Sequence, residues 1–120
     1  MNVDALRKYC LSFPNATENL QWGEDLCFKV GGKIFTVVSL GGVPQSMSVK
    51  CTPEKFAELV EREGIKPAPY VGRYKWVMLE SLDVLRDAEI KELVRQSYEM
   101  VSAKLPKSKR TSPKKGKSKA

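Results

Sequence analysis

Residues 26–50 read LCFKVGGKIFTVVSLGGVPQSMSVK, and this stretch decides the fold. It divides into three runs rich in Val, Ile, Phe and Thr, at residues 26–30, 33–40 and 43–50. Such residues suit a pleated, half-buried surface. Gly31-Gly32 separates the first two runs and Gly41-Gly42 the second and third. Paired glycines suit tight hairpins because both central positions can take φ > 0. The block therefore predicts an antiparallel meander, with none of the spacing that parallel βαβ units require.

Working outward, a first helix is expected from about Asn2 to before Pro14. Val3, Leu6 and Cys10 share one face at helical spacing, Asn2 caps the start, and Pro14 blocks continuation. Residues 14–18 read as a loop, and a short strand at residues 19–22 precedes the block. After it, Thr52-Pro53-Glu54 opens a second helix, with a capping hydroxyl, a proline at the first helical position and an acid at the positive end of the dipole. Phe56, Leu59 and Val60 form its buried stripe, and Gly64 ends it. Residues 65–72 read as a loop and residues 74–79 as a fifth strand. The last helix spans residues 87–105, with Ile90, Leu93, Val94, Tyr98, Val101 and Leu105 as a long apolar stripe. This order predicts an α+β fold: a two-layer sandwich whose antiparallel sheet is covered by helices on one face.

The charge is unevenly distributed. Residues 107–120 contain Lys107, Lys109, Arg110, Lys114, Lys115, Lys117 and Lys119 and no acid. The formal net charge is +7, so residues 1–106 are neutral overall and the tail holds the whole excess. With no apolar residue but Ala120, the tail is expected to be disordered. Two domains of behaviour follow: a folded unit at 1–106 and a basic tail at 107–120. Such a tail attracts polyanions at long range or simply aids solubility.

The remaining composition narrows the chemistry. There is no histidine, which removes histidine-based catalysis and histidine-ligated zinc. Cys10, Cys27 and Cys51 are far apart with no C-x-x-C spacing, so each reads as a small buried hydrophobe. No apolar run approaches the roughly 20 residues of a membrane span, and the first residues lack the apolar block of a signal peptide. The expectation is a cytoplasmic binding module with no cofactor, no metal and no catalytic site, monomeric unless an edge strand pairs across a dimer.

Tyr70-Val71-Gly72-Arg73-Tyr74-Lys75-Trp76 is the most suggestive segment. Aromatics stack on bases while Arg and Lys meet phosphates. Tyr70, Arg73, Tyr74, Lys75 and Trp76 are therefore candidate nucleic-acid contacts. Alternation along residues 74–79 sets Tyr74, Trp76 and Met78 on one face. The competing reading makes Trp76 core and Arg73 and Lys75 solvated. Lys29, Lys33 and Lys50 are further candidates, or else lysines that guard an exposed edge. Lys109, Arg110, Lys114 and Lys115 represent the tail. Gly31-Gly32-Lys33 is not a phosphate-binding loop, because a strand follows it rather than a helix. Glu24-Asp25 reads as a polar loop.

The ordered set Trp22-Gly23-Glu24, Phe28 to Phe35, Val49 to Glu54, Arg73 to Val77, Ser97-Tyr98 and Leu105-Pro106-Lys107 resembles the MmcQ/YjbR family. The resemblance implies a CyaY-like, or secretion-chaperone-like, fold, and DNA as partner, since members are often described as DNA-binding proteins. Members often carry histidines near the Trp22 and Trp76 positions. This chain has none, so a family role that depends on histidine does not transfer. One namesake belongs to a mitomycin context, which keeps open an alternative: a small-ligand or protein-binding module using an apolar face near Trp22 and Trp76.

Overall fold

A computed structural model describes residues 1–21, 23–69 and 71–105. Trp22, Tyr70 and residues 106–120, including the expected disorder of the tail, lie outside the described residues. The elements are α1 (Val3–Leu11), β1 (Ala16–Gln21), β2 (Asp25–Val30), β3 (Lys33–Ser39), β4 (Ser46–Lys50), α2 (Pro53–Leu59), β5 (Ile65–Pro67), a 3₁₀ turn (Gly72–Tyr74), β6 (Trp76–Leu79) and α3 (Asp87–Ala103). The six strands form one antiparallel sheet in the order β1-β2-β3-β4-β6-β5. The chain therefore has an α+β fold in which helices pack on an antiparallel sheet.

Local chemistry explains most of the boundaries. Asn2 Oδ1 accepts from the Ala5 amide at 2.8 Å and starts α1. Thr52 Oγ1 accepts from the Lys55 amide at 3.2 Å, with Pro53 opening α2. Gly31 and Gly32 have φ of 59° and 81°, the pair of left-handed values that a tight β2–β3 turn needs.

Three expectations are corrected. Gly41-Gly42 is not a two-residue hairpin: neither glycine has positive φ, and β4 begins only at Ser46. Pro44 has no N–H to give a ladder, so the strand starts beyond it. Gly41 instead lies against the Glu24 carboxylate, the mobile end of that side chain. The loop expected at residues 14–18 is shorter, because β1 starts at Ala16 and pairs with Val30. Residues 65–67, expected as loop, form β5 through pairing with β6, and Pro67 is tolerated at the end of an edge strand.

The core lies between the sheet and the helices. Phe28, Val30, Val38, Met47, Val49, Val77 and Leu79 meet Leu6 and Cys10 of α1 and Ile90, Leu93, Val94, Tyr98 and Val101 of α3. The ring of Phe35 packs edge-on against Tyr98 and Phe13, while Phe13 and Tyr98 stack with centroids 4.6 Å apart. The β2–β3 register shifts between Phe28 and Lys29, so Phe35 is the extra residue of a bulge. Ser97 of α3 fills the resulting gap. Its hydroxyl donates to the Phe35 carbonyl at 2.6 Å and accepts from the Lys50 amide at 3.0 Å, bridging β3 and β4 where their direct pairing has stopped.

Candidate functional site

The opposite face of the sheet carries a groove of about 640 Å³. Ile34 and Val37 of β3, Trp76 and Met78 of β6, and Pro69 and Val71 of the loop before the 3₁₀ turn give it apolar walls. Asp25, Ser39, Ser46 and Ser48 add polar groups. A single-sided sheet should be polar on this face. Here β3 and β6 also place Ile34, Val37, Trp76 and Met78 on the open face, which gives the groove its apolar lining.

Strand register assigns the groove two ends. At one end meet the β2–β3 turn, the end of β4 at Lys50, and the start of β6 at Trp76, which pairs with Lys50. The last turn of α3 arrives there too, since Leu105 packs against Gly31. Lys29, Lys33, Lys50, Arg73, Lys75 and Lys104 therefore belong to this end. None of them has a carboxylate within ion-pairing distance among the described residues. The other end holds Asp25 with Ser39 and Ser46.

Cationic side chains there differ in setting. The Arg73 guanidinium lies over the Tyr74 ring at 4.9 Å, and Tyr74 is 54% exposed. Lys75, in the left-handed region with φ 70°, turns its ammonium over Phe56 of α2 at 5.1 Å. Lys50 is half-buried, and its pKa is pulled below the usual lysine value by burial first and then by the ammonium of Lys104. Lys33 is exposed and Lys29 half-buried.

A family model described as YjbR matches residues 11–100. The chain belongs to the YjbR family. It is similar to the uncharacterized protein YjbR of Escherichia coli K12, 27% identical over 114 residues that cover 92% of this chain and 95% of the relative. The same protein of Escherichia coli O157:H7 matches equally. Among solved structures, Deinococcus radiodurans protein DR2400 superposes with a TM-score of 0.81 at 29% identity, covering 90% of this chain and 84% of that one. A Pseudomonas syringae protein shares the fold with a TM-score of 0.71 at 19% identity, covering 84% and 99%.

In this YjbR-family chain the expected site residues do not all share one surface. Trp76 is half-buried in the groove wall, neither core nor fully solvated. The alternation that put Tyr74 beside it does not hold, because Tyr74 belongs to the 3₁₀ turn and the strand starts at Trp76. Gly72 permits that turn: a Cβ there would lie 2.9 Å from the Pro67 side chain. Lys75 faces α2 rather than the groove. Tyr70, Lys109, Arg110, Lys114 and Lys115 lie outside the described residues.

Sequence reasoning missed Lys104 and the groove residues Ile34 and Val37, while the alternation that set Trp76 and Met78 on one face holds. The apolar runs at residues 37–38 and 76–79 signalled the groove, because polar residues do not alternate with apolar ones in either. Nothing in the sequence signalled Lys104, whose closeness to Lys50 is tertiary. All three cysteines are buried and free. Among the described residues no helix is long and apolar enough to cross a membrane, and no group of three His, Cys, Asp or Glu could hold a metal ion.

Proposed function

We propose that this protein is a non-enzymatic nucleic-acid-binding module whose attraction is mostly electrostatic. The observation that carries the reading is the gathering of Lys29, Lys33, Lys50, Arg73, Lys75 and Lys104, none in an ion pair among the described residues, at the end of the sheet that leads into the basic tail. Bringing Lys50 close to Lys104 without an intervening carboxylate costs free energy that an anion would recover. Tyr74 and Trp76 add stacking surface nearby, and Lys109, Arg110, Lys114 and Lys115 of the tail supply sequence-independent attraction. The CyaY-like arrangement and the DNA-binding description implied by the family resemblance belong to the same proposal.

The test is a set of binding isotherms for the full chain and for residues 1–106, on duplex and single-stranded DNA at two salt concentrations. Full engagement of seven tail cations gives a slope of log K against log salt of roughly −6, and partial engagement a shallower one. Expected affinity at physiological salt is on the order of 10⁻⁴–10⁻⁶ M for non-specific sites. Identical slopes with and without the tail would remove the tail from the scheme. No binding by the full chain at low salt would remove the scheme itself.

The groove favours a second reading, a small apolar ligand held against Trp76, Met78 and Val37. Trp76 fluorescence against a metabolite panel, in the absence of nucleic acid, checks it.

A further inference from the structure

We infer that the groove on the open face of the sheet is a base-binding site, so that the preferred partner is a single-stranded rather than a duplex nucleic acid. This rests on the nucleic-acid reading above and assigns a role to a surface that electrostatics alone leaves unused.

The argument begins with shape. A groove of about 640 Å³ lies within the range that holds a flat organic ligand. Its walls, Trp76, Met78, Ile34, Val37 and Val71, offer an aromatic ring and aliphatic surface to the face of an aromatic guest. Bases in a duplex show only their edges, whereas an unpaired base can turn its face onto such a platform.

Polarity then orients the guest. The Asp25 carboxylate at one end repels phosphate but accepts a hydrogen bond from an exocyclic amine, and the Ser39 and Ser46 hydroxyls serve either donor or acceptor edges. The other end, at Ile34 and Trp76, adjoins Lys29 and Lys50 through the strand register. A base entering the groove therefore keeps its phosphates over the lysines and its polar edge toward Asp25. The reverse orientation would set phosphate against carboxylate. An uncharged apolar ligand would use the walls but would gain nothing from this gradient of charge.

Trp22→Phe leaves Trp76 as the lone tryptophan reporter. The full chain carrying that change is titrated with DNA and RNA single strands of about 12 nucleotides, an abasic single strand of equal charge, and a duplex. The expected result is quenching of Trp76 by a base-bearing strand, of either sugar. Binding should weaken by about 5- to 150-fold for the abasic strand, the loss expected when one stacked base is removed. Trp76→Phe should retain much of the discrimination and Val37→Asp should remove it, with both variants checked for native melting.

Equal affinity for base-bearing and abasic strands, with Trp76 unquenched, overturns this inference while leaving the electrostatic reading intact. Duplex binding tighter than single-strand binding also overturns it. Absence of binding to every oligonucleotide overturns both.

Discussion

Replacing Ser97 by alanine should destabilise the fold more than any surface change on α3. The hydroxyl donates to the Phe35 carbonyl at 2.6 Å in a buried site and accepts from the Lys50 amide at 3.0 Å in a partly buried one. Alanine leaves both backbone groups without that partner. A stranded buried group costs about 1–3 kcal/mol, and the partly buried amide, which water can reach, falls at the lower limit. The sum is about 2–4 kcal/mol, a large share of the ~5–15 kcal/mol that holds a domain together. At roughly 4 °C per kcal/mol for a domain of this size, the melting temperature should fall by about 8–16 °C. Thermal melts followed by circular dichroism measure this directly, with urea titration as an independent check. Ser102→Ala, on the same helix and half-buried, is the control and should stay within about 0.5 kcal/mol. If Ser97→Ala melted within about 2 °C of the parent, the hydroxyl would not be what closes the gap between β3 and β4.

Other outcomes follow from single positions. Gly31→Ala should cost clearly more than Gly32→Ala. Both glycines have positive φ, but an added Cβ at Gly31 meets the Leu105 side chain at 2.5 Å while at Gly32 it meets open space; paired urea melts compare them. Thr52→Ala should lower stability by about 1 kcal/mol through loss of the cap on α2. Burial pushes the Cys10 thiol up to about 12 and that of Cys51 up to about 11. Both should therefore resist a thiol reagent at neutral pH until the protein is unfolded. Because folded values above the unfolded one favour the protonated thiol, their contribution is complete below about pH 9 and is lost as pH rises toward 11–12. On the acid side, the Arg7 guanidinium holds Glu18 below its usual value, so that contribution is present above the ordinary carboxylate range and fades as pH falls through the folded value. Arg7→Gln should flatten the acid limb of a plot of melting temperature against pH.

Parts of the fold governed by local chemistry were legible in the sequence. Gly31-Gly32, Thr52-Pro53 and the α3 stripe each act through near neighbours, and each was read correctly. The misreadings arose where a distant partner decides the outcome. Gly41 resembles half of a hairpin turn, but it has no positive φ and β4 begins only at Ser46. Residues 65–67 contain a proline and look like a loop until β6 supplies a ladder. Tyr74 fits the alternation of a strand until the 3₁₀ turn and the left-handed Lys75 interrupt it. For the candidate site, the residue types at positions 73–76 were visible, but not that Lys75 turns to Phe56 while Trp76 joins Val37 and Met78.

Charge gives the most instructive case, because a net charge of zero over residues 1–106 hides how the charges are matched. Arg95 pairs with Glu92 and Glu99, Arg62 and Arg86 with Glu89, Arg7 with Glu18, and Lys66 with Glu80. Such exposed pairs, screened by solvent, contribute little to stability. Their consequence lies in what they leave over. Among the described residues, Lys29, Lys33 and Lys50, none of them in an ion pair, lie where β2 turns into β3 and β4 ends, while Glu24 and Asp25 sit at the opposite end of those strands. A strand of six residues spans about 20 Å, and screening at physiological salt acts over about 8 Å. The acidic end therefore cannot cancel the cationic end for a partner arriving at the latter. Residues 1–106, neutral by summation, thus carry an uneven field that is more positive at the end of the sheet where Lys29, Lys33 and Lys50 lie.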